Sequence, residues 1–226
     1  DYNKTIESAT ILGKMTEALK EYNGLKEDGI IEKWFSKESL ENGIIKMMDL
    51  KSKINEDNPF KVKIEKDLED KINISKDLLN NFNFDIINKM TITNSHGDYS
   101  VQQLIYNDKK GTTVIDFVTA KKLPIIWEVM RSYSYIDVEA KNGELNLNTL
   151  VDYVKEFSKY IKLNEYDLKY AAEIYLIQII SSVFGYKQFN DDCTKNDLLD
   201  FAIFRTNLCR YLYKHSNEIN SLLLQI

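Results

Sequence analysis

The stretch TNSHGDYSVQQLIYNDKKGTTVIDFV, residues 93–118, decides how this chain is read. It is the most strand-like part of the sequence. Yet it keeps two aspartates, Asp98 and Asp116, and one of the two histidines, His96. VQQLIY (101–106) and TTVIDFV (112–118) are β-prone runs, and NDKKG between them closes on a glycine, so a β-hairpin is expected. MTIT (90–93) is a further short β-prone run just before it.

Outward from the hairpin the periodicity changes. Residues 1–25 place Ile6, Ala9, Leu12, Met15 and Leu19 near helical spacing, with Gly24 as the expected stop. A second helix is expected from about 37 to 54. Pro59 then breaks the pattern, because proline lacks a donor and restricts its predecessor. Residues 60–90 are expected to be helical, with Leu68, Ile72, Leu78 and Ile86 in the core. After Pro124, helices are expected over roughly 124–135, 147–161, 165–186 and 195–224. The expected fold class is therefore mainly α with one small β-hairpin in mid-chain, an island a pure helical bundle does not need.

The 226 residues suffice for a core without staples. Hydrophobic residues make up 43% and charged residues 29%, as in globular rather than disordered chains. With a net charge of -5 and dispersed Lys and Arg, no nucleic-acid surface is expected. No run reaches the ~18 apolar residues of a membrane span, and no signal peptide is visible. Cys193 and Cys209 form no ligand pattern, and both are expected to be reduced and buried. A cytoplasmic setting fits.

Two acids flanking a hairpin suit phosphoryl transfer. One carboxylate holds the acceptor hydroxyl and takes its proton, and a second binds the Mg2+ that bridges the phosphates. Mg2+ prefers hard oxygen ligands and keeps several waters, so few protein ligands are needed. HGDYSVQQ (96–103) and VIDFVTA (114–120) resemble the motifs of the aminoglycoside phosphotransferase and choline kinase-like family. KKLPIIWEVMRSY (121–133) resembles the family's proline-containing segment, with Glu128 opening a helix.

The resemblance implies a protein-kinase-like fold and transfer of phosphate from ATP or GTP to a small hydroxyl-bearing acceptor. It puts Asp98 at the catalytic aspartate, with His96 beside it ordering the loop. It puts Asp116 at the magnesium-binding aspartate. Gln103 stands where the family carries an asparagine, as a second oxygen ligand for metal and nucleotide.

No glycine-rich loop followed by a lysine-bearing strand precedes His96, so the N-terminal nucleotide lobe is absent from this chain. The chain reads as the C-terminal lobe alone. In it, residues 1–92 are a helical part after the hinge, 93–123 the catalytic loop and metal-binding hairpin, and 124–226 the C-terminal helices. The alternatives are a catalytically degenerate kinase-like binding module, or an unrelated helical scaffold with Asp98 and Asp116 far apart. Glu128 and Arg131 are expected to form an i,i+3 pair on their helix. His215 and the acids Glu165, Asp167, Asp191 and Asp192 are expected on solvated faces.

Overall fold

A computed structural model describes residues 1–25, 29–107 and 111–226. Ten α-helices and four short strands lie along them, the strands together in mid-chain. The helices α1 (Tyr2–Leu19), α2 (Ile30–Phe35), α3 (Lys37–Ser52) and α4 (Lys61–Asn81) come first. Strand β1 (Ile92–Ser95) leads into the island, which contains β2 (Leu104–Asn107) and β3 (Gly111–Val114) and leaves through β4 (Lys121–Pro124). The rest is α5 (Ile125–Ile136), α6 (Leu147–Ser158), α7 (Glu165–Lys169), α8 (Ala171–Ile180), α9 (Tyr186–Asp191) and α10 (Asn196–Leu223).

The core forms around α8, whose sequence AAEIYLIQII is apolar on nearly every side. Such a helix has no solvent face and belongs in the interior. Helices α5 and α10 pack on it, and α1 lies along α6. That approach is close: a Cβ on Gly13 would sit 2.5 Å from the Tyr160 ring. A second apolar cluster joins α3 and α4 to α9 and α10 through Met47, Leu68, Tyr186 and Leu199. Within it Asp67 is fully buried, and it accepts from Tyr186 Oη at 2.6 Å, Arg210 Nη2 at 2.6 Å and Lys63 Nζ at 2.6 Å. Three donors offset the cost of burying that carboxylate.

Two antiparallel ladders build the island. β1 pairs with β4 in the register Ile92↔Pro124 to Ser95↔Lys121, and β2 pairs with β3 from Leu104↔Val114 to Asn107↔Gly111. The hairpin therefore sits on a neck. The expected turn over residues 107–111 lies partly outside the described residues.

Several elements differ from the sequence reading, each for a local reason. α1 stops at Leu19, five residues before Gly24. The β-prone run at 90–93 pairs two residues later, as β1, and its partner β4 is a strand the sequence reading lacks. Residues 101–103 are a 3-10 turn, because the Ser100 hydroxyl accepts from the Gln102 amide and winds the chain before β2 begins. β3 ends at Val114, and Asp116 turns to φ 63°. The expected helix over 165–186 is two helices, broken at Tyr170 (φ -129°), and α9 starts at Tyr186. Residues 84–89 form a 3-10 helix after α4. Cys193 is exposed rather than buried, on the turn before α10, and only Cys209 is interior. Among the described residues no helix is long and apolar enough to cross a membrane.

Candidate active site

The loop from Ser95 to Tyr99 has little regular structure, so its backbone amides need partners from elsewhere. One buried carboxylate supplies them. Glu128, in the first turn of α5, accepts from His96 N at 2.8 Å through Oε2, and from Gly97 N at 2.7 Å and Tyr99 N at 3.3 Å through Oε1. Burial pushes the Glu128 carboxyl above its ordinary range, and the Tyr99 and Gly97 amides pull it back. Three donors and no acceptor around it call for the ionised form. Gly97 sits at φ 83°, and a Cβ there would lie 2.2 Å from the Thr119 carbonyl oxygen. Only glycine meets both demands.

His96 is wholly buried and ties two loops together. Its Nε2 lies 2.8 Å from the Ile115 carbonyl oxygen, which can only accept, so the proton is on Nε2. Nδ1 is then an acceptor, and it takes the Asp98 amide at 3.3 Å. The ring packs against Phe117 with centroids 4.6 Å apart. Both nitrogens are thus spent on backbone groups. Ile115 is also held from its other side, where its amide donates to the Gln103 carbonyl at 3.0 Å. Asp116 follows directly, the one non-glycine residue at positive φ among those described, with an exposed side chain that makes no capping bond.

Asp98 is half-exposed. Its Oδ2 accepts from Gln103 Nε2 at 3.0 Å, and its Oδ1 pairs with Arg131 Nη2. A carboxylate accepts only, so the Gln103 amide must turn its nitrogen to Asp98 and its oxygen away. Gln102 does not share this position; it lines a neighbouring cleft. Arg131 reaches the loop twice, since its Nη1 also donates to the Tyr99 carbonyl at 3.0 Å, while its guanidinium lies 4.8 Å from the Tyr135 ring centroid.

The structure brings His96, Asp98 and Gln103 into direct contact, and Asp116 joins them through the backbone of Ile115. The expected Glu128–Arg131 pair is corrected. Glu128 points inward to the loop amides, and Arg131 reaches across to Asp98. The sequence signal for Glu128 was its place as the lone acid in the apolar run IIWEVM, since a buried carboxylate must find donors. Asp167 is likewise no surface acid. It is fully buried, caps α7, and accepts from the Thr91 amide at 2.8 Å and hydroxyl at 2.6 Å. His215 is half-buried, stacked on Tyr211 and bonded to Glu218.

Among the described residues no three His, Cys, Asp or Glu side chains form a preassembled metal cage. A site completed by phosphate oxygens and water does not require one.

No protein-family model matches the chain, and no curated protein matches it. Among solved structures it is similar to the crystal structure of an aminoglycoside phosphotransferase from Alicyclobacillus acidocaldarius subsp. acidocaldarius DSM 446. The TM-score is 0.65 at 15% identity, over 98% of this chain and 68% of that one. At that identity the likeness is one of fold alone; this chain is mostly helical, with two small antiparallel sheets among the described residues.

Proposed function

We propose that this chain is the catalytic C-terminal lobe of a small-molecule kinase, which moves the γ-phosphoryl group of ATP or GTP to an acceptor hydroxyl. The observation that carries the reading is the pair of bonds made by one buried imidazole. Through His96, the Asp98 loop and the strand end that bears Asp116 are held in one unit, with Gln103 bonded to both. The fold likeness supports it.

Asp98 is the catalytic residue. Two of its carboxylate lone pairs are taken by Gln103 and Arg131, and the remaining ones can receive the acceptor hydroxyl. Asp98 takes that proton as the new O–P bond forms and the bond to the leaving diphosphate breaks. His96, Glu128 and Arg131 are positioning residues. The donor set suits Mg2+: the exposed Asp116 carboxylate, and the Gln103 amide oxygen that faces away from Asp98, are hard oxygen ligands. Asp116 and Gln103 would hold such an ion, which would supply charge neutralisation for the phosphates.

On this reading residues 1–92, 93–123 and 124–226 make one lobe, and the nucleotide lobe lies outside this chain. The rim formed by Ile105, Tyr106, Phe117 and Val118 is exposed, the character expected of a surface that another lobe covers. Two free thiols fit a reducing, cytoplasmic setting.

The test is turnover, in protein that includes the nucleotide lobe, on a panel of hydroxyl compounds. Asp98→Asn should abolish phosphate transfer while nucleotide binding survives, and unchanged turnover sinks the assignment. A second reading, a kinase-like module without turnover, draws on the Arg131 and Gln103 bonds that already occupy Asp98. Nucleotide binding that is indifferent to magnesium, with no transfer to any acceptor, favours it.

A further inference from the structure

A cleft of about 700 Å³ opens beside the Asp98 loop, within the size range of small-molecule sites. Val101 and Gln102, which follow Asp98 closely in the chain, form one wall. Tyr135, Phe201 and Phe204 also line the cleft. The Tyr135 and Phe201 rings are stacked at 6.4 Å, and Phe204 meets both at 6.0 and 6.1 Å. These rings reach Asp98 through one side chain, because Arg131 lies over Tyr135 and pairs with Asp98.

The charges around the cleft are mixed and show no concentrated acidic patch for a polycation. Three acids line it, Asp1, Glu7 and Asp137, along with Lys4 and Lys141. Two of those acids already serve backbone amides. Asp137 accepts from Glu139 N at 3.1 Å and Asn146 N at 2.8 Å, and Asp1 accepts from Asn3 N at 3.0 Å. Those bonds orient the two carboxylates without neutralising them, so the two lysines offset two of the three acids and the lining is close to balanced. Guanidiniums lie over two of the rings, Arg131 at Tyr135 and Arg205 at Phe201, and the aromatic surface left to the cleft is one that a planar apolar ligand matches.

We propose that this cleft is the acceptor pocket and that its acceptor is an alcohol with a flat, apolar, uncharged body. The body lies on Tyr135, Phe201 and Phe204, and the hydroxyl extends toward Asp98. This rests on the phosphotransfer reading for the role of Asp98, but not for the binding itself.

The experiment is calorimetric titration of the chain with 2-(1-naphthyl)ethanol and, separately, with the diaminocyclitol 2-deoxystreptamine. The naphthyl alcohol should bind, and at least tenfold more tightly than 2-deoxystreptamine. Phe201→Ala and Tyr135→Ala should each weaken it tenfold or more. Both side chains are only partly buried, so the variants should fold. If either fails to, Phe201→Leu or Tyr135→Leu carries the same test. Tighter binding of 2-deoxystreptamine, binding of neither compound, or naphthyl binding indifferent to both substitutions overturns the proposal. Because binding is read without turnover, failure of Asp98 as a base would appear only in the transfer assay.

Discussion

Glu128→Gln is nearly isosteric and should nonetheless loosen the whole Asp98 loop. An amide can keep its oxygen at the Oε1 position, where it still accepts from Gly97 and Tyr99. Its NH2 then faces the His96 amide, which donates at 2.8 Å to Oε2 in the native chain. Two donors meet, and a buried N–H is left without an acceptor, at a cost of about 1–3 kcal/mol. The two surviving bonds change from charged to neutral, a loss of up to about 1 kcal/mol each. The expected destabilisation is about 2–4 kcal/mol, or roughly 4–16 °C in Tm for a chain of this size. Glu128→Ala, which strands all three amides, should cost more. Denaturant unfolding followed by circular dichroism reads the total, and amide hydrogen exchange reads the place. Protection should fall at His96, Gly97 and Tyr99 before it falls in α8. If Glu128→Gln shifts stability by less than 0.5 kcal/mol, or leaves those three amides as slow as in the native chain, the anchoring argument is wrong.

Gly97→Ala should destabilise by about 2–4 kcal/mol, since the left-handed conformation costs roughly 1–2 kcal/mol and the new Cβ meets the Thr119 carbonyl; a loss under 1 kcal/mol in the same unfolding assay would contradict the close approach. Arg210→Met removes the guanidinium that bonds both Asp67 and Asp70 and leaves a buried carboxylate short of a partner; about 3 kcal/mol should be lost, and a neutral result would mean Lys63 and Tyr186 suffice. Lys71 is buried, and desolvation brings its ammonium down to about 8. The unfolded chain holds that proton to about pH 10.4, so between the two values it binds more protons than the native chain, and stability rises with pH. At about 1.4 kcal/mol per pH unit, the gain from pH 8 to 10 approaches roughly 2–3 kcal/mol relative to Lys71→Met. Above pH 10 buried tyrosines such as Tyr153, pushed up to about 12, reverse the trend, because a raised phenol favours the native chain only until the unfolded one ionises. Parallel pH profiles for wild type and Lys71→Met would refute the Lys71 argument.

The site was legible in the sequence where its chemistry is local. HGDYSVQQ and VIDFV lie close enough for a hairpin to join them, and Asp98, Gln103 and His96 meet as neighbours along one segment. What could not be read off was held by distant partners. Spacing on one helix favours Glu128 with Arg131. In the fold each turns to a loop about 30 residues earlier, because unpaired amides and an exposed carboxylate compete for them. β4 has too few residues for periodicity to reveal it, and it exists through its register with β1. The helical body was clearer, since α8 and α10 are long or uniformly apolar. Their ends were less so, because breaks such as Tyr170 depend on tertiary packing rather than on any glycine or proline.

The neck formed by β1 and β4 has a consequence for how such a site can change. The chain leaves the helical body at Ser95 and re-enters at Lys121, paired across one ladder. Everything between is, topologically, an insertion. Closing a loop grows dearer only with the logarithm of its length, about 0.6 kcal/mol per doubling. The β2–β3 ribbon could therefore be lengthened, shortened or exchanged between related chains at small thermodynamic penalty, provided His96, Gly97 and Thr119 stay at its base. The reach of the ribbon is then free to vary while the geometry of the carboxylates is inherited unchanged, which makes residues 104–114 the natural graft point for anyone wishing to rebuild this face.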